Sequence, residues 1–156
     1  AKEIFMPMET WGKFSGYTTD PNINPHYIRP AMLQQRLQKI MDEYVGGVGT
    51  WYMTSKYMLE EGFYYLDLLK EDSYHMCAEN LHELLRAWEN FHRILAGEAH
   101  ARHIHFREET RYPGYYYRGD HLAIDDENWK CFVNSTYDKK TGEWDIFKRE
   151  YHQLIP

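Results

Sequence analysis

Two Glu-x-x-His units are the first features of the sequence that could bind a metal. They pair Glu79 with His82 and Glu89 with His92. Di-iron carboxylate sites use such units, but take them from two different helices that face one centre. Here both units fall on one predicted helix, ten residues and about 15 Å apart. One metal pair cannot use both units, so exposed or capped histidines are the simpler interpretation.

A denser histidine cluster follows at His100, His103 and His105, with Glu98 nearby. These imidazoles could bind zinc, but only two of the three can point the same way on a helix. No nearby cysteine or aspartate completes a set of four ligands. The cluster is therefore more typical of an interface than of a metal site.

Neither the cysteines nor the glycines indicate catalysis or nucleotide binding. Cys77 and Cys131 lie far apart, and nothing marks either one as an activated thiolate. The glycine-rich run at 46–50 follows a helical pattern instead of a strand, and it lacks the Lys-Ser/Thr pair of a phosphate-binding loop. We interpret this run as the end of a helix.

Residues 107–120 hold the densest set of charged and aromatic side chains. The run 107–114, REETRYPG, places two guanidinium groups and two carboxylates in a turn that leaves a helix. Three tyrosines follow at 115–117, and then Arg118, Gly119 and Asp120. Because arginine forks fix orientation through bidentate contacts, such a cluster either locks the chain reversal internally or docks onto a neighbouring domain. The sequence leaves both interpretations open.

Composition limits the classes of partner. The chain has 156 residues, of which 18 are basic and 24 acidic, and its formal charge is −6. That balance argues against nucleic acid or an anionic membrane as the main partner. The longest run without a charged side chain, 44–55, is twelve residues, well short of the roughly 20 that a spanning helix needs. With no apolar signal core at the N-terminus, we predict a soluble, cytoplasmic protein.

Aromatic residues are unusually frequent, at 17% of the chain. Large, stiff rings supply much contact area at low entropic cost, and they are enriched both in cores and at interfaces. The enrichment predicts either an aromatic core or a surface that belongs against another polypeptide.

Apolar periodicity predicts a mainly α fold: a three-helix bundle-like body with an irregular N-terminal arm and a C-terminal β-hairpin. We assign a single domain, 1–156, with the arm at 1–29, the helical body at 30–112 and the loop and hairpin at 113–156. The arm carries six large apolar side chains, so we expect it to lie against something: Phe5, Met6, Met8, Trp11, Phe14 and Tyr17.

Start and stop signals predict the first two helices. The first begins at Pro30, whose missing N–H is harmless in a first turn, and ends at the glycine pair 46–47. The second begins after Thr54 or Ser55 as N-cap and runs to about Lys70.

A third, longer helix and a hairpin are predicted in the second half of the chain. The helix starts from a cap at Asp72-Ser73 and has Met76 on its apolar face. We expect Gly97 to kink or split it, helical character to continue to about Phe106, and Pro113-Gly114 to be the stop. The hairpin pairs the β-rich runs 129–134 and 143–147 across a polar turn at 138–142, whose glycine takes a left-handed conformation.

Four segments of this chain closely resemble the C-terminal part of the flavoprotein (α) subunit of dissimilatory adenylylsulfate reductase. They are LQKIMDEY at 37–44, HELLRAWEN at 82–90, AHARHIHFREETRYPGYYYR at 99–118 and DDENWKCFVNS at 125–135. A looser likeness extends to the flavoproteins of succinate dehydrogenase and fumarate reductase. Their helical domains have a comparable Arg-Glu-rich turn followed by an element that matches Asp125, Asp126 and Trp129.

The resemblance implies the helical domain of a longer subunit that also has a flavin-binding domain and a capping domain and pairs with an iron–sulfur β subunit. It implies the reduction of adenylyl sulfate to sulfite and AMP, with FAD held by the other domains. The resemblance implies that the family's catalytic residues and most of its flavin contacts lie on the other domains, and it transfers no catalytic, cofactor-binding or metal-binding residue to a position here. The implied role is a structural buttress and a docking surface, with these interface candidates: Arg107, Glu108, Arg111, Tyr115, Tyr116, Tyr117, Arg118 and Trp129.

Two other functions remain open on the residues alone. One is a small stand-alone helical metal-binding protein built on the histidines described above. The other is an adaptor that uses Arg107, Arg111 and the tyrosines at 115–117.

Overall fold

Helices dominate the residues that the computed structural model describes, which are 28–76, 78 and 80–152. Within them, the α-helices are α1 (Pro30–Tyr44), α2 (Lys56–Ser73), α3 (Leu81–Phe106) and the short α4 (Asp126–Trp129). Strand β1 (Met53–Thr54) pairs in parallel with β2 (Tyr117–Arg118), and β3 (Cys131–Tyr137) pairs antiparallel with β4 (Trp144–Glu150). The predicted mainly α fold with a C-terminal hairpin is confirmed. The predicted arm lies outside the described residues except for 28 and 29.

The helix starts follow local capping chemistry. Helix α1 begins at Pro30, as predicted. The Ser55 hydroxyl accepts a hydrogen bond from the Met58 N–H at 3.3 Å, so the predicted N-cap of α2 is confirmed. Asn80 Oδ1 accepts from the Glu83 N–H at 3.0 Å and caps α3.

The predicted start of the third helix was wrong, whereas its predicted end was right. Helix α2 continues to Ser73, and α3 begins only at Leu81 because the cap is Asn80 instead of Asp72-Ser73. Met76 lies between the two helices and bridges Ile28. Helix α3 is not split at Gly97, and it ends at Phe106, as predicted. Near this end, the Arg118 side chain donates to the Ile104 carbonyl.

The hairpin forms in the predicted place, with one change at its start. Strands β3 and β4 pair from Cys131 opposite Glu150 to Tyr137 opposite Trp144. Gly142 in the connecting turn has φ +76°, which confirms the predicted left-handed glycine. Trp129, predicted in the first strand, instead ends α4, whose cap Asp125 accepts from the Asn128 N–H at 3.0 Å.

Contacts divide the chain into two compact units. The first comprises residues 1–40 and 64–97. Its buried side chains include Leu33, Leu66 and Ile94. Its one buried amide, among the described residues, is that of Asn90, which donates to the Pro30 carbonyl at 2.7 Å. That bond satisfies a polar group that would otherwise destabilise an apolar interior.

The second unit comprises residues 41–63 and 98–156. It contains the β1–β2 pair, α4, the hairpin and most of the buried charged side chains, among them Glu109 and Arg118. The single domain predicted for 1–156 stays a prediction. Every helix that the structure describes is too short or too polar to cross a lipid bilayer.

Candidate functional site

Glu109 is the centre of a cluster of charged side chains in the second unit. Its side chain is fully buried, and its oxygens accept hydrogen bonds from Arg111 at 2.6 and 2.9 Å and from Arg107 at 2.5 Å. The backbone N–H of Asp125 adds a fourth bond, at 2.9 Å. We call Arg107, Glu109, Arg111, Arg118 and Asp120 the arginine network. Two guanidinium partners and a backbone donor offset the free-energy cost of removing this carboxylate from water.

The electrostatics of Glu109 follow from those contacts. Burial by itself raises the pKa of the Glu109 carboxyl, but the hydrogen bonds from Arg111, Asp125 and Arg107 outweigh it and lower the pKa below its ordinary value. The bond to Glu109 in turn raises the pKa of Arg111, which also reaches Asp126 Oδ1 at 2.9 Å. Glu109 is therefore an anion near neutral pH and a poor candidate for an acid or base there.

The buried Arg118 side chain joins the end of α3 to Asp120. This side chain is 1% exposed. One terminal nitrogen donates to the carbonyls of Ile104 and Arg107, at 2.6 and 2.9 Å, and so occupies the C-terminal end of α3. The other two guanidinium nitrogens donate to the two Asp120 carboxylate oxygens, at 2.9 and 2.8 Å. Positive charge at a helix C-terminus is favourable because the helix dipole is negative there.

Asp120 extends this arrangement to the start of α2. Its Oδ2 accepts from the Lys56 N–H at 3.0 Å, at the first residue of that helix. The hydrogen bonds from Arg118 are the main reason that the pKa of Asp120 lies well below its ordinary value. The Arg118–Asp120 pair thus links the end of one helix to the beginning of another.

Arg107 and Trp129 join the network to the hairpin. The Arg107 guanidinium donates to the carbonyls of Trp129 and Cys131, at 2.9 and 2.8 Å. Trp129 is buried, and the ammonium nitrogen Nζ of Lys148, in β4, lies 3.6 Å from the centroid of its ring. The orientation of the hairpin within the second unit is therefore fixed partly by an arginine at the end of α3.

The eight interface candidates separate into buried and exposed groups. Tyr116, Arg118 and Trp129 are buried, and Arg107 and Arg111 use their guanidinium groups inside the network. Tyr117 is half-buried in β2, whereas Glu108 and Tyr115 are exposed. Of the two interpretations that the sequence left open, the internal lock describes the arginines. Contact of these residues with a partner stays a prediction.

Sequence reasoning missed Glu109: the interface candidates include Glu108 but not Glu109. The alternation of charged residues in this segment could have identified it. Arg107, Glu109 and Arg111 alternate along the chain, and alternate residues of extended backbone lie on one side. Asp120 had no such signal, because its partner role depends on the folded path of β2 and α2.

The glycine-rich loop does not fit a dinucleotide phosphate. A Cβ on Gly47 or Gly49 would lie 2.3 or 2.4 Å from an oxygen of Asp42, so a carboxylate already fills the space that a phosphate would need. Asp42 Oδ1 also accepts from the Gly49 N–H at 2.9 Å. A phosphate here would meet a negative charge instead of free N–H groups. The chain's own residues therefore do not suit FAD at this loop.

The histidines do not converge in the part of the chain that the structure describes. No group of three or more His, Cys, Asp or Glu side chains there surrounds a common point. His103 Nδ1 lies 2.7 Å from the Ala99 carbonyl, and the His105 ring packs edge-on against Phe63. Glu79 and Cys77 lie outside the described residues.

Comparisons with known proteins agree with this architecture. No protein-family profile matches the chain. Over 153 residues, or 98% of its length, the chain is 52% identical to the adenylylsulfate reductase subunit alpha of Megalodesulfovibrio gigas. The chain spans 23% of that relative's length.

Solved structures give the same result. The adenylylsulfate reductase of Archaeoglobus fulgidus superimposes with a TM-score of 0.87 at 48% identity, over 99% of this chain and 24% of that one. The quinol fumarate reductase of E. coli, at 15% identity and a TM-score of 0.73, shares the fold over 96% of this chain and 24% of its own. The chain is therefore homologous, over nearly its whole length, to one segment of the α subunit of adenylylsulfate reductase.

Proposed function

We propose that this chain is the helical domain of an adenylylsulfate reductase α subunit and acts there as a non-catalytic scaffold. The observation that carries the proposal is the arginine network, whose charged groups are committed to one another and to backbone carbonyls. A guanidinium held in this way fixes the path of the backbone and is not available to a substrate. The relatives, of which the chain spans about a quarter, supply the identity of the enzyme.

The complete enzyme would reduce adenylyl sulfate by two electrons to sulfite and AMP. FAD would supply the redox chemistry, and an iron–sulfur β subunit would deliver the electrons. Because Asp42 fills the glycine-rich loop, we assign the cofactor to polypeptide outside this chain. This chain would support the flavin-binding and capping domains and form part of the surface near the β subunit. We place the enzyme in the cytoplasm.

A substitution at the centre of the network tests the scaffold role in the complete enzyme. In Glu109→Gln two guanidinium groups lose their anionic partner, so we expect the α subunit to retain less flavin after gel filtration. The turnover per bound flavin should stay unchanged, because the proposal gives the network no contact with the reacting atoms. Glu108→Gln is the matched control, since its side chain is exposed. Full flavin content with a turnover per flavin reduced by about 100-fold, as for a lost transition-state contact, would contradict the proposal.

The chain on its own provides a second test. Purified alone, it should show no stoichiometric flavin absorbance and no reduction of adenylyl sulfate. A chain that co-purifies with one flavin per molecule would contradict the assignment of FAD to other polypeptide.

A further inference from the structure

An exposed aromatic surface lies in the second unit beside the arginine network. Trp51 is 84% exposed and Tyr115 is 82% exposed, which is unusual for rings of this size. We call the following exposed residues of the loop 48–53 and the turn 112–115 the aromatic surface: Val48, Trp51, Tyr52, Met53, Tyr112 and Tyr115.

Backbone pairing holds the two segments of this surface side by side. The Tyr117 N–H donates to the Tyr52 carbonyl at 2.7 Å, and the parallel strands β1 and β2 place Met53 opposite Tyr117. Arg118 follows directly in β2 and is buried. The arginine network therefore anchors one edge of the aromatic surface.

The loop presents its rings at a conformational cost. Trp51 and Tyr52 have φ of +55° and +62°, in the left-handed region that disfavours residues with a Cβ. Their N–H groups donate to the carbonyls of Val48 and Gly47, at 3.1 and 2.8 Å, which holds them there. Among the described residues, a strained conformation that leaves the Trp51 ring 84% exposed brings little packing in return, and such strain is typical of functional surfaces.

The chemistry of the surface indicates a permanent partner. Neither 48–53 nor 112–117 contains a charged side chain. Interfaces that are depleted in charge and rich in aromatic rings are typical of permanent association, whereas transient ones are more polar. Since the loop is already ordered by backbone bonds, little further entropy is lost when a partner covers it.

We propose that the aromatic surface is buried against the remaining polypeptide of the same α subunit. This inference rests on the proposed function and identifies the docking face that it requires. The relatives are much longer than the chain, which spans 23% and 24% of two of them, so most of such a subunit lies outside this structure. An apolar contact between domains also suppresses their relative motion, which a scaffold must do.

Hydroxyl-radical footprinting of the complete α subunit, with and without its β subunit, tests this assignment. Relative to its intrinsic reactivity in a peptide, Trp51 should be oxidised about tenfold more slowly in the α subunit alone, because residues at the centre of an interface are fully buried. Tyr115 should behave in the same way. Adding the β subunit should change neither rate.

Three outcomes would overturn the inference. The first is that Trp51 reacts in the α subunit as an exposed side chain. The second is that it is protected only after the β subunit is added, and the third is that its protection depends on protein concentration, which indicates a second copy. If peptides of this chain are absent from the purified, active reductase, the proposed function fails as well, whereas an active subunit with reactive Trp51 contradicts the inference alone.

Two variants, Trp51→Gly and Tyr64→Ala, test the docking contact through the unfolding temperatures of the isolated chain and of the complete α subunit. Trp51→Gly removes the ring and relieves the left-handed strain, so the isolated chain should unfold at a higher temperature than the parent chain. In the complete α subunit the same change should lower the unfolding temperature, because the docking contact is lost. Tyr64→Ala, an exposed ring outside this surface, is the control and should shift the two preparations in the same direction. Stabilisation by Trp51→Gly in both preparations would contradict the proposal.

Discussion

The arginine network and the aromatic surface adjoin each other in the second unit. The side chains of the network have partners within the chain, whereas those of the surface are exposed. Glu109 and Arg118 are buried, and each has several partners within the chain. Trp51 and Tyr115 are exposed, although burial would favour them more than almost any other residue type. The difference agrees with our proposal that the network is complete in this chain, whereas the surface is covered by the rest of the same α subunit.

The same comparison explains why a dense set of charged side chains need not be a docking site. Buried charged groups are costly unless they are paired, so folding brings arginine and glutamate together inside the chain first. Exposed rings carry no such penalty within a fragment and remain available to a neighbour. The most charged segment of the sequence is therefore an internal lock, and the nearby uncharged segments form the candidate interface.

Removing the central anion should produce the largest effect. Glu109→Ala leaves Arg107 and Arg111 without their shared partner, and we expect the free energy of unfolding to fall by about 3 to 5 kcal/mol. Chemical denaturation of the chain measures it. The neighbouring Glu108→Ala, at an exposed position, should change it by no more than about 0.5 kcal/mol. Equal effects of the two variants would refute the central role of Glu109.

Replacing the buried arginine should have a somewhat smaller effect. In Arg118→Lys the charge remains, but the bidentate hydrogen bonds to Asp120 are lost. Some of the hydrogen bonds to the α3 carbonyls are lost as well. We expect a loss of about 2 kcal/mol, in keeping with charged hydrogen bonds. Amide exchange near the end of α3 should accelerate as well. If exchange there is unchanged, Arg118 does not hold the helix terminus.

Acid should weaken the network selectively. The pKa values of Glu109 and Asp120 lie below their ordinary values of 4.5 and 3.8, so both groups stabilise the fold above those values. The contribution of these two groups should therefore be constant near neutral pH and should decrease as the pH falls below about 4. Denaturation series at several pH values measure this decrease. Asp120→Asn should flatten the profile, and an unchanged profile would show that Asp120 does not contribute.

Substitution within the aromatic surface should have the smallest effect on the chain itself. Tyr115→Ser removes a ring that is 82% exposed, so the free energy of unfolding should change by no more than about 0.5 kcal/mol. Thermal denaturation of the chain checks this expectation. A loss as large as that of Arg118→Lys would mean that the ring packs internally, and the contrast between the two regions would fail.

Local signals in the sequence predicted the helices and the hairpin well. Pro30, Ser55 and Gly142 each perform their predicted role because caps and turns depend on a few neighbouring residues. The start of the third helix was placed less accurately, because Asp72-Ser73 and Asn80 both offer capping side chains and the fold uses Asn80. Its end at Phe106 was predicted. The four-residue α4 and the two-residue strands lie below the length at which periodicity is informative.

The sequence by itself determined the fold class, most element boundaries and, through close resemblance over 37–44, 82–90, 99–118 and 125–135, the family. Only the tertiary structure decided which charged residues face inward. Arg118 meets Ile104, fourteen residues earlier, and Asp120 meets Lys56, which is 64 residues away. Such pairs form only after the chain has folded back on itself, and no local pattern in the sequence encodes them.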